Sequence, residues 1–400
     1  MIDVRAEFPL LARTYEGRPL VFLDSASTTP KPRVVIDAVR RYYEETTANV
    51  HRGVHLLGEE ATEAYEAARL EAASLIGASP SDVVFVRGTT EAINLVAHGL
   101  GLGPEDEVVF PASEHHANFL PWRVHARPVI LPVDGDGVPL WDRLPSLLTA
   151  RTKLVAVGHV SNVTGAIAPV DEIVRAAQAR GIPVLLDAAQ SFSHLPLDVR
   201  TLGVDFLAAS SHKAFGPSGV GILWGKAEHL SRFAPYQVGG GMVALNETGE
   251  GEERLVFRDV PFRFEAGTPA IEATIGFGAA VRFLRGLGLD NVRAHDEELG
   301  TYLFAQLAGV PGVRILGAEL PMSKRIALAT FVVDAPAMTQ ENVARALSDT
   351  FGVCVSGGFH CAHVLHARAK LDGTVRASPH VFNGREDVDR LVEGLREIVA

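Results

Sequence analysis

The chain has 400 residues, 47% of them hydrophobic and 21% charged, with 37 basic against 48 acidic side chains and a net charge of −11. That composition belongs to a folded chain of two or three domains and excludes disordered, collagenous and low-complexity classes. The acidic balance argues against non-specific nucleic-acid binding, because nothing offsets phosphate repulsion.

The first residues, with Asp3 and Glu7 and no long apolar run, do not read as a secretory signal. Amphipathic patterns predict helices over 31–45 and 59–76, the second stopped by Gly77 and Pro80. Seven short apolar runs follow, at 83–86, 108–110, 129–131, 154–157, 184–186, 206–208 and 220–224. Helical segments at 91–98, 142–149 and 170–180 separate several of them. Val/Leu/Ile runs alternating with helices predict an α/β domain built on a mostly parallel seven-stranded sheet, covered on both faces. After about residue 270 the texture changes. Helices at 271–287 and 292–308, a strand at 326–333 and helices at 340–349 and 386–399 predict a smaller α+β domain. The expected division is 21–270 for the large domain, with 1–20 and 271–400 in the small one. The apolar stretch 327–333 is far short of the roughly 20 residues that span a membrane. The two cysteines, Cys354 and Cys361, make no disulfide framework and suit a reducing cytoplasm.

Ligands of parallel α/β sheets sit at the carboxyl ends of strands, so the residues after each run carry the functional argument. Arg87-Gly88-Thr89-Thr90-Glu91 sets glycine and hydroxyls at a helix start, a seat for a phosphate or simply an N-cap. Ser113-Glu114-His115-His116-Ala117-Asn118 offers imidazoles for stacking or proton transfer. Asn162 can hydrogen-bond a ligand or form a turn. Asp187 closes a buried run, where a carboxylate is costly unless it meets a cation such as a pyridinium or a metal. Lys213 closes another, where desolvation lowers an amine pKa and favours Schiff-base chemistry. Singly these are ordinary features. Together they are the parts that pyridoxal 5′-phosphate requires: a phosphate seat, a stacking imidazole, a carboxylate for the ring nitrogen and an amine for the aldehyde.

With these residues in place, the chain resembles fold-type I pyridoxal-phosphate enzymes of the class V aminotransferase group. More narrowly, it is similar to the group II (Suf-type) cysteine desulfurases and selenocysteine lyases. The likeness runs from Leu23-Asp24-Ser25-Ala26 to Val388-Asp389-Arg390-Leu391. It is most specific at His51-Arg52-Gly53-Val54-His55, in the two strand-end motifs above, and at His159-Val160-Ser161-Asn162-Val163. Arg263-Phe264-Glu265-Ala266-Gly267-Thr268-Pro269 and Arg376-Ala377-Ser378 complete the set.

The resemblance implies that Lys213 is the Schiff-base lysine, His115 the ring-stacking imidazole, Asp187 the pyridinium partner and Gln190 the donor to the phenolic oxygen. It gives Thr90, Ser210 and His212 to the phosphate, with Thr89 beside them. Asn162 and Arg376 would hold the substrate, with Ala26 and His55 on the substrate side. Thr268 would reach the cofactor of a second subunit in a homodimer. Cys361, in Gly358-Phe359-His360-Cys361-Ala362, falls where the family places its persulfide-forming nucleophile. His360 is the adjacent candidate base, and Cys354, in an apolar run, reads as core. The implied reaction converts L-cysteine to L-alanine and delivers sulfur to an acceptor protein, for iron–sulfur cluster or cofactor assembly.

The chain departs from the family at Ser356, where an arginine is usual, and at Phe359, where histidine is frequent. That keeps a C–S or C–Se lyase, an epimerase or an aminotransferase-like enzyme open as alternatives, with Cys361 not the nucleophile. A scaffold that merely binds the cofactor would not need Lys213, Asp187, His115 and Arg376 together. The density of His360, Cys361, His363 and His366 raises zinc as a competing idea. No second cluster of the usual spacing accompanies them, so the reading takes no metal.

Overall fold

The structure is a computed structural model that describes residues 2–249, 252–335 and 337–400. The seven apolar runs become β1 (Val83–Val86), β2 (Glu107–Pro111), β3 (Arg127–Leu131), β4 (Thr152–Gly158), β5 (Val184–Asp187), β6 (Phe206–Ser210) and β7 (Gly221–Gly225). They form one sheet in the order β1-β7-β6-β5-β4-β2-β3. Only β7 runs antiparallel to its neighbours. The pairings among β2 to β6 are parallel.

Alternate residues of each strand enter opposite cores, as the pleat requires. Val83, Phe85, Val155, Val157, Leu186 and Leu207 face one core with helices α1 (Arg33–Glu45), α2 (Leu56–Leu75), α4 (Val170–Gln178) and α5 (Ile271–Leu287). Val84, Val86, Ala156, Leu185 and Ala208 face the other with α3 (Thr89–Gly99), Phe119 and Trp122. Pro30 and Pro32 delay α1 to Arg33, while His55 caps α2 and starts it earlier than the pattern predicts. The predicted helix 142–149 shrinks to a turn and Leu144–Leu147.

The second core is built by α6 (Leu289–Ala308), α7 (Gln340–Phe351) and α9 (Arg385–Val399) on a four-stranded antiparallel sheet. That sheet holds β8 (Val313–Ile315), β9 (Ala329–Val333), β10 (Ser356–Gly358) and β11 (Thr374–Ala377) in the order β8-β9-β11-β10. A short helix, α8 (His363–Arg368), follows β10.

Packing corrects the expected domain division. Ile271, Ala273, Phe277 and Val281 of α5 lie in the large core, because α5 is wedged against α1 and α2. An added Cβ on Gly278 would stand 2.7 Å from the Cβ of Ala68, so the two helix backbones approach closely. Phe8 and Leu11 also belong to the large core, Phe8 with its ring centroid 5.4 Å from that of Phe215. Conversely, Val21 and Leu23 join the small core, since Val21–Phe22 pairs in parallel with Val353–Cys354. The division therefore runs inside α6, whose Val292 packs in the large core and whose Leu299, Leu303 and Leu307 pack in the small one.

Candidate active site

The carboxyl ends of β1, β2, β4, β5 and β6 open into one cavity of about 480 Å³, closed by Ala26, Ser27, Ser356, His360, Cys361 and Arg376. Thr89, Thr90, His115, Asn162, Asp187, Gln190, Ser210, His212 and Lys213 all line it. Two of the expected site residues, His55 and Thr268, do not line this cavity. His55 caps α2, its Nδ1 accepting from the Gly58 amide at 3.2 Å. Thr268 lies beside Asn49, whose Nδ2 is 3.5 Å from its Oγ1.

At the start of α3, Gly88 adopts φ 155°, and a Cβ there would stand 3.2 Å from Ser210 Oγ. Ser210 Oγ accepts from the Thr89 amide at 2.8 Å and bonds Thr89 Oγ1 at 2.7 Å. Hydroxyls are thus gathered at the positive end of an 11-residue helix. Asp187, 7% exposed at the end of β5, accepts from the Ala189 amide at 2.9 Å on one oxygen. Its other oxygen has no protein partner among the described residues. Burial pushes this carboxyl pKa up, and the Lys213 ammonium draws it back.

Burial holds the Lys213 amine down at about 8, against the pull of Asp187, and its Nζ has no hydrogen-bond partner among the described residues. The backbone beneath it is fixed on both sides. The His212 carbonyl accepts from the Thr29 amide at 3.0 Å and from Lys31 Nζ at 3.0 Å. The Lys213 carbonyl accepts from Ser193 Oγ at 3.1 Å, and that hydroxyl meets His380 Nε2 at 3.1 Å. His380 stacks on His194, centroids 4.1 Å apart, and His194 Nδ1 reaches Asp296 Oδ2 at 2.7 Å.

His115 Nδ1 accepts from the Ala117 amide at 3.1 Å, which leaves the proton of the neutral ring on Nε2. Burial, then the charge of Lys213, lowers its pKa to about 4, so it is an uncharged face at neutral pH. Gln190 Nε2 donates to the Ala26 carbonyl at 2.9 Å. Arg376 is 3% exposed; its Nη1 donates to the Asn162 carbonyl at 2.9 Å and its Nη2 to Ser27 Oγ at 2.7 Å, with Asp24 Oδ1 at 3.3 Å. Its Nε is buried without a partner. Ser356 sits directly across the strand pair from Arg376, so Arg376 is the one guanidinium lining the cavity among the described residues.

Cys361 is exposed, on a turn where both it and His360 take left-handed φ values, 55° and 50°. Such geometry in non-glycine residues costs on the order of 1–3 kcal/mol each and persists only where the surroundings impose it. Here the His116 amide donates to the Cys361 carbonyl at 2.9 Å, and Asn162 Nδ2 donates to the His360 carbonyl at 2.8 Å. Asn162 therefore joins the arginine grip to the cysteine turn. His360 is not the base that its position next to Cys361 suggests: burial, then Arg376, pushes its pKa down to about 2. Cys354 is half-buried, and burial pushes its thiol pKa up.

Sequence reasoning missed Asp24, Ser27 and Glu114. The first two follow the apolar run 20–23, Asp24 inside the quoted motif and Ser27 just beyond it. Glu114 was hidden by the histidines beside it. Its oxygens accept from Asn118 Nδ2 at 2.7 Å and the Gly158 amide at 2.9 Å, and burial raises its pKa to about 8. The histidines that raised zinc are otherwise engaged: His363 stacks on His116 and Phe359 at 5.0 and 4.7 Å. Among the described residues no group of three or more His, Cys, Asp or Glu side chains is placed to hold a metal ion.

Comparison with known proteins places this arrangement. The pattern of the family described as aminotransferase class-V matches residues 21–391. A probable cysteine desulfurase of Halalkalibacterium halodurans is 40% identical, over 99% of this chain and 97% of its own length. A probable cysteine desulfurase of Mycolicibacterium paratuberculosis is 41% identical over 99% of this chain, which spans 58% of that longer protein. The apo structure of a cysteine desulfurase from Thermococcus onnurineus NA1 superposes with a TM-score of 0.91 at 34% identity, covering 99% of this chain and 97% of that one. The chain belongs to the class-V aminotransferase family.

Proposed function

We propose that the chain is a pyridoxal-phosphate-dependent cysteine desulfurase, converting L-cysteine to L-alanine with the sulfur taken up by Cys361. The cavity fits the cofactor: among the described residues Asp187, lining the cavity, leaves one carboxylate oxygen without a partner, Lys213 an unpartnered amine, and Gly88 to Thr90 with Ser210 a hydroxyl-lined helix start. Asp187 would face the ring nitrogen, His115 the ring, Gln190 the phenolic oxygen, and Thr89, Thr90, Ser210 and His212 the phosphate. When bound, the cofactor supplies an electron sink for the substrate Cα.

The residues of the chain do the rest. Arg376, the one guanidinium lining the cavity among the described residues, grips the substrate carboxylate. Lys213, with a pKa near 8, takes the proton from Cα and returns one on the product side. The Cys361 thiolate attacks the substrate sulfur. An S–S bond forms as the C–S bond breaks, the carbon skeleton is released as alanine, and a persulfide remains on Cys361.

One observation carries this reading: a pinned, strained turn opens Cys361 into the cavity that holds Lys213, Asp187 and Arg376. In Cys361→Ala, alanine formation from L-cysteine is expected to be lost while the bound cofactor keeps its absorbance. Equal alanine formation in both proteins would instead establish a lyase, the reading that Ser356 favours by leaving Arg376 without a second cation.

Thr268 outside its own cavity, beside Asn49, and the exposed Val54 and Leu56 (96% and 69%) on the segment that follows Asn49 support a homodimer in which Thr268 completes the partner's site. Sedimentation of the active protein is expected to give twice the chain mass of 42.8 kDa, and an active monomer would refute the dimer. The persulfide sulfur would pass to an acceptor protein serving iron–sulfur cluster assembly. A cytoplasmic setting suits two unpaired cysteines. Among the described residues no helix is long and apolar enough to cross a membrane.

A further inference from the structure

Arg376 presents a guanidinium in the wall of the cavity, but its positive charge is not left whole for a ligand. Asp24 Oδ1 lies 3.3 Å from its Nη2. A second route runs through Ser27. The Ser27 hydroxyl has one proton, and it goes to Asp24 Oδ1 at 2.7 Å, because a carboxylate accepts and does not donate. The hydroxyl oxygen is then the acceptor for Arg376 Nη2 at 2.7 Å. Asp24 thus acts on the guanidinium both directly and through the oxygen of Ser27.

The backbone fixes this placement. Asp24 bridges in parallel to Ser378, just beyond the end of β11. The Ser25 amide donates to the Ser378 carbonyl at 3.0 Å, and the Ala26 amide to Ser378 Oγ at 2.9 Å. The Asp24 carbonyl accepts from the Ser27 and Thr28 amides at 3.1 and 3.3 Å. Carboxylate, hydroxyl and guanidinium are therefore carried on two segments laced together by main-chain bonds.

A carboxylate entering the cavity is attracted by Arg376 and repelled by Asp24. Arg376 is 3% exposed, whereas the Asp24 side chain is 25% exposed and is not part of the cavity lining. Water therefore screens part of the repulsion, and the opposition is partial. Burial works against the guanidinium charge and Asp24 works for it. The carboxylate that keeps Arg376 charged also takes up some of what that charge offers to a ligand.

We propose that Asp24 acts through Arg376 to set the affinity of the cavity for amino-acid carboxylates, holding the grip below that of an uncompensated guanidinium. Substrate and product of the proposed reaction carry the same carboxylate, so the restraint falls on both alike. It shows in binding constants and not in the chemical step.

This rests on the desulfurase reading for the role of Arg376, but its test needs no turnover. The full-length holoenzyme is titrated with L-alanine and with L-alaninamide, which lacks the carboxylate, and binding is followed by the cofactor's absorbance. Asp24→Asn keeps the shape and removes the charge. It should tighten L-alanine about threefold, within the range for a partly exposed ion pair, and leave L-alaninamide unchanged. Asp24→Glu, which keeps the charge, should hold the wild-type preference and guards against a folding defect. Unchanged or weaker binding of L-alanine in Asp24→Asn overturns the proposal. So does an equal tightening of the amide, or a shift in Asp24→Glu as large as in Asp24→Asn. A wild-type protein that binds the acid no better than the amide also overturns it, since Arg376 then grips no carboxylate. Cys361 takes no part in this comparison, so the desulfurase reading can fail in Cys361→Ala while the carboxylate preference stands.

Discussion

Lys213→Ala is expected to lower kcat for alanine formation by at least about 10²–10⁴-fold, the range for losing a positioned proton-transfer group. It should do so with the protein still folded, because the Lys213 side chain makes no hydrogen bond among the described residues and its backbone is held by Thr29, Lys31 and Ser193. Lys213→Arg should not rescue, since a guanidinium stays charged across the working range. The depressed pKa adds a pH signature. The amine is charged below about 8 and free above it, so capture of added pyridoxal phosphate by cofactor-free protein should quicken with rising pH and level off above that value. A variant retaining a tenth of wild-type activity would remove Lys213 from the chemistry, on the same scale.

The largest stability effect is expected at Arg69, which is 2% exposed on α2. Its guanidinium grips Glu265 at 2.6 and 2.9 Å, Glu66 at 2.9 and 3.1 Å and the Val83 carbonyl at 2.8 Å. Glu265 also accepts from the Phe85 amide at 2.8 Å. Removing the cation leaves a buried carboxylate uncompensated, which costs about 3–5 kcal/mol. Arg69→Met should therefore lower the thermal midpoint by several degrees. The double variant with Glu265→Met should recover much of the loss, because no charge is then stranded. Equal loss in single and double variants would show that packing, not charge, is what Arg69 contributes. Acid acts on the same cluster. Burial pushes the Glu66 pKa up, but hydrogen bonds from His51 and Arg69 outweigh it and hold it at about 2, against an ordinary 4.5. Its stabilisation is complete above the ordinary value and is lost as pH falls towards 2. Because Glu265 stands just before Thr268, the same variants should loosen the segment that is proposed to reach the partner subunit.

The large sheet was legible because each strand is a short apolar run with a polar residue at its carboxyl end, and burial on both faces allows little else. Asp187, Lys213 and His115 were legible for the related reason that polar groups ending apolar strands need a partner. Of the small sheet only one strand was legible, expected at 326–333 and found at Ala329–Val333. Strands such as Ser356–Gly358 and Thr374–Ala377 are too short and too mixed to show a period, and are fixed by long-range pairing. The domain boundary misled because α5 is apolar on the side that meets α2, a property of its partner and not of its own pattern. Asp24 meets the cavity through Arg376, and nothing local in its sequence marks a residue that works through another.

The helix α6 enters one core at Val292 and leaves through the other at Leu299, with Asp296 between them bonded to His194 beneath Lys213. A continuous helix is stiff along its axis. It works as a strut mortised into both halves, and rotating one half against the other would have to shear buried leucines or break the Asp296 contact. The two walls of the cavity, one bearing Lys213 and the other Arg376 and Cys361, are thereby held to a common frame. The distance sulfur must travel is then set when the chain folds, and substrate meets a gauge already cut to length.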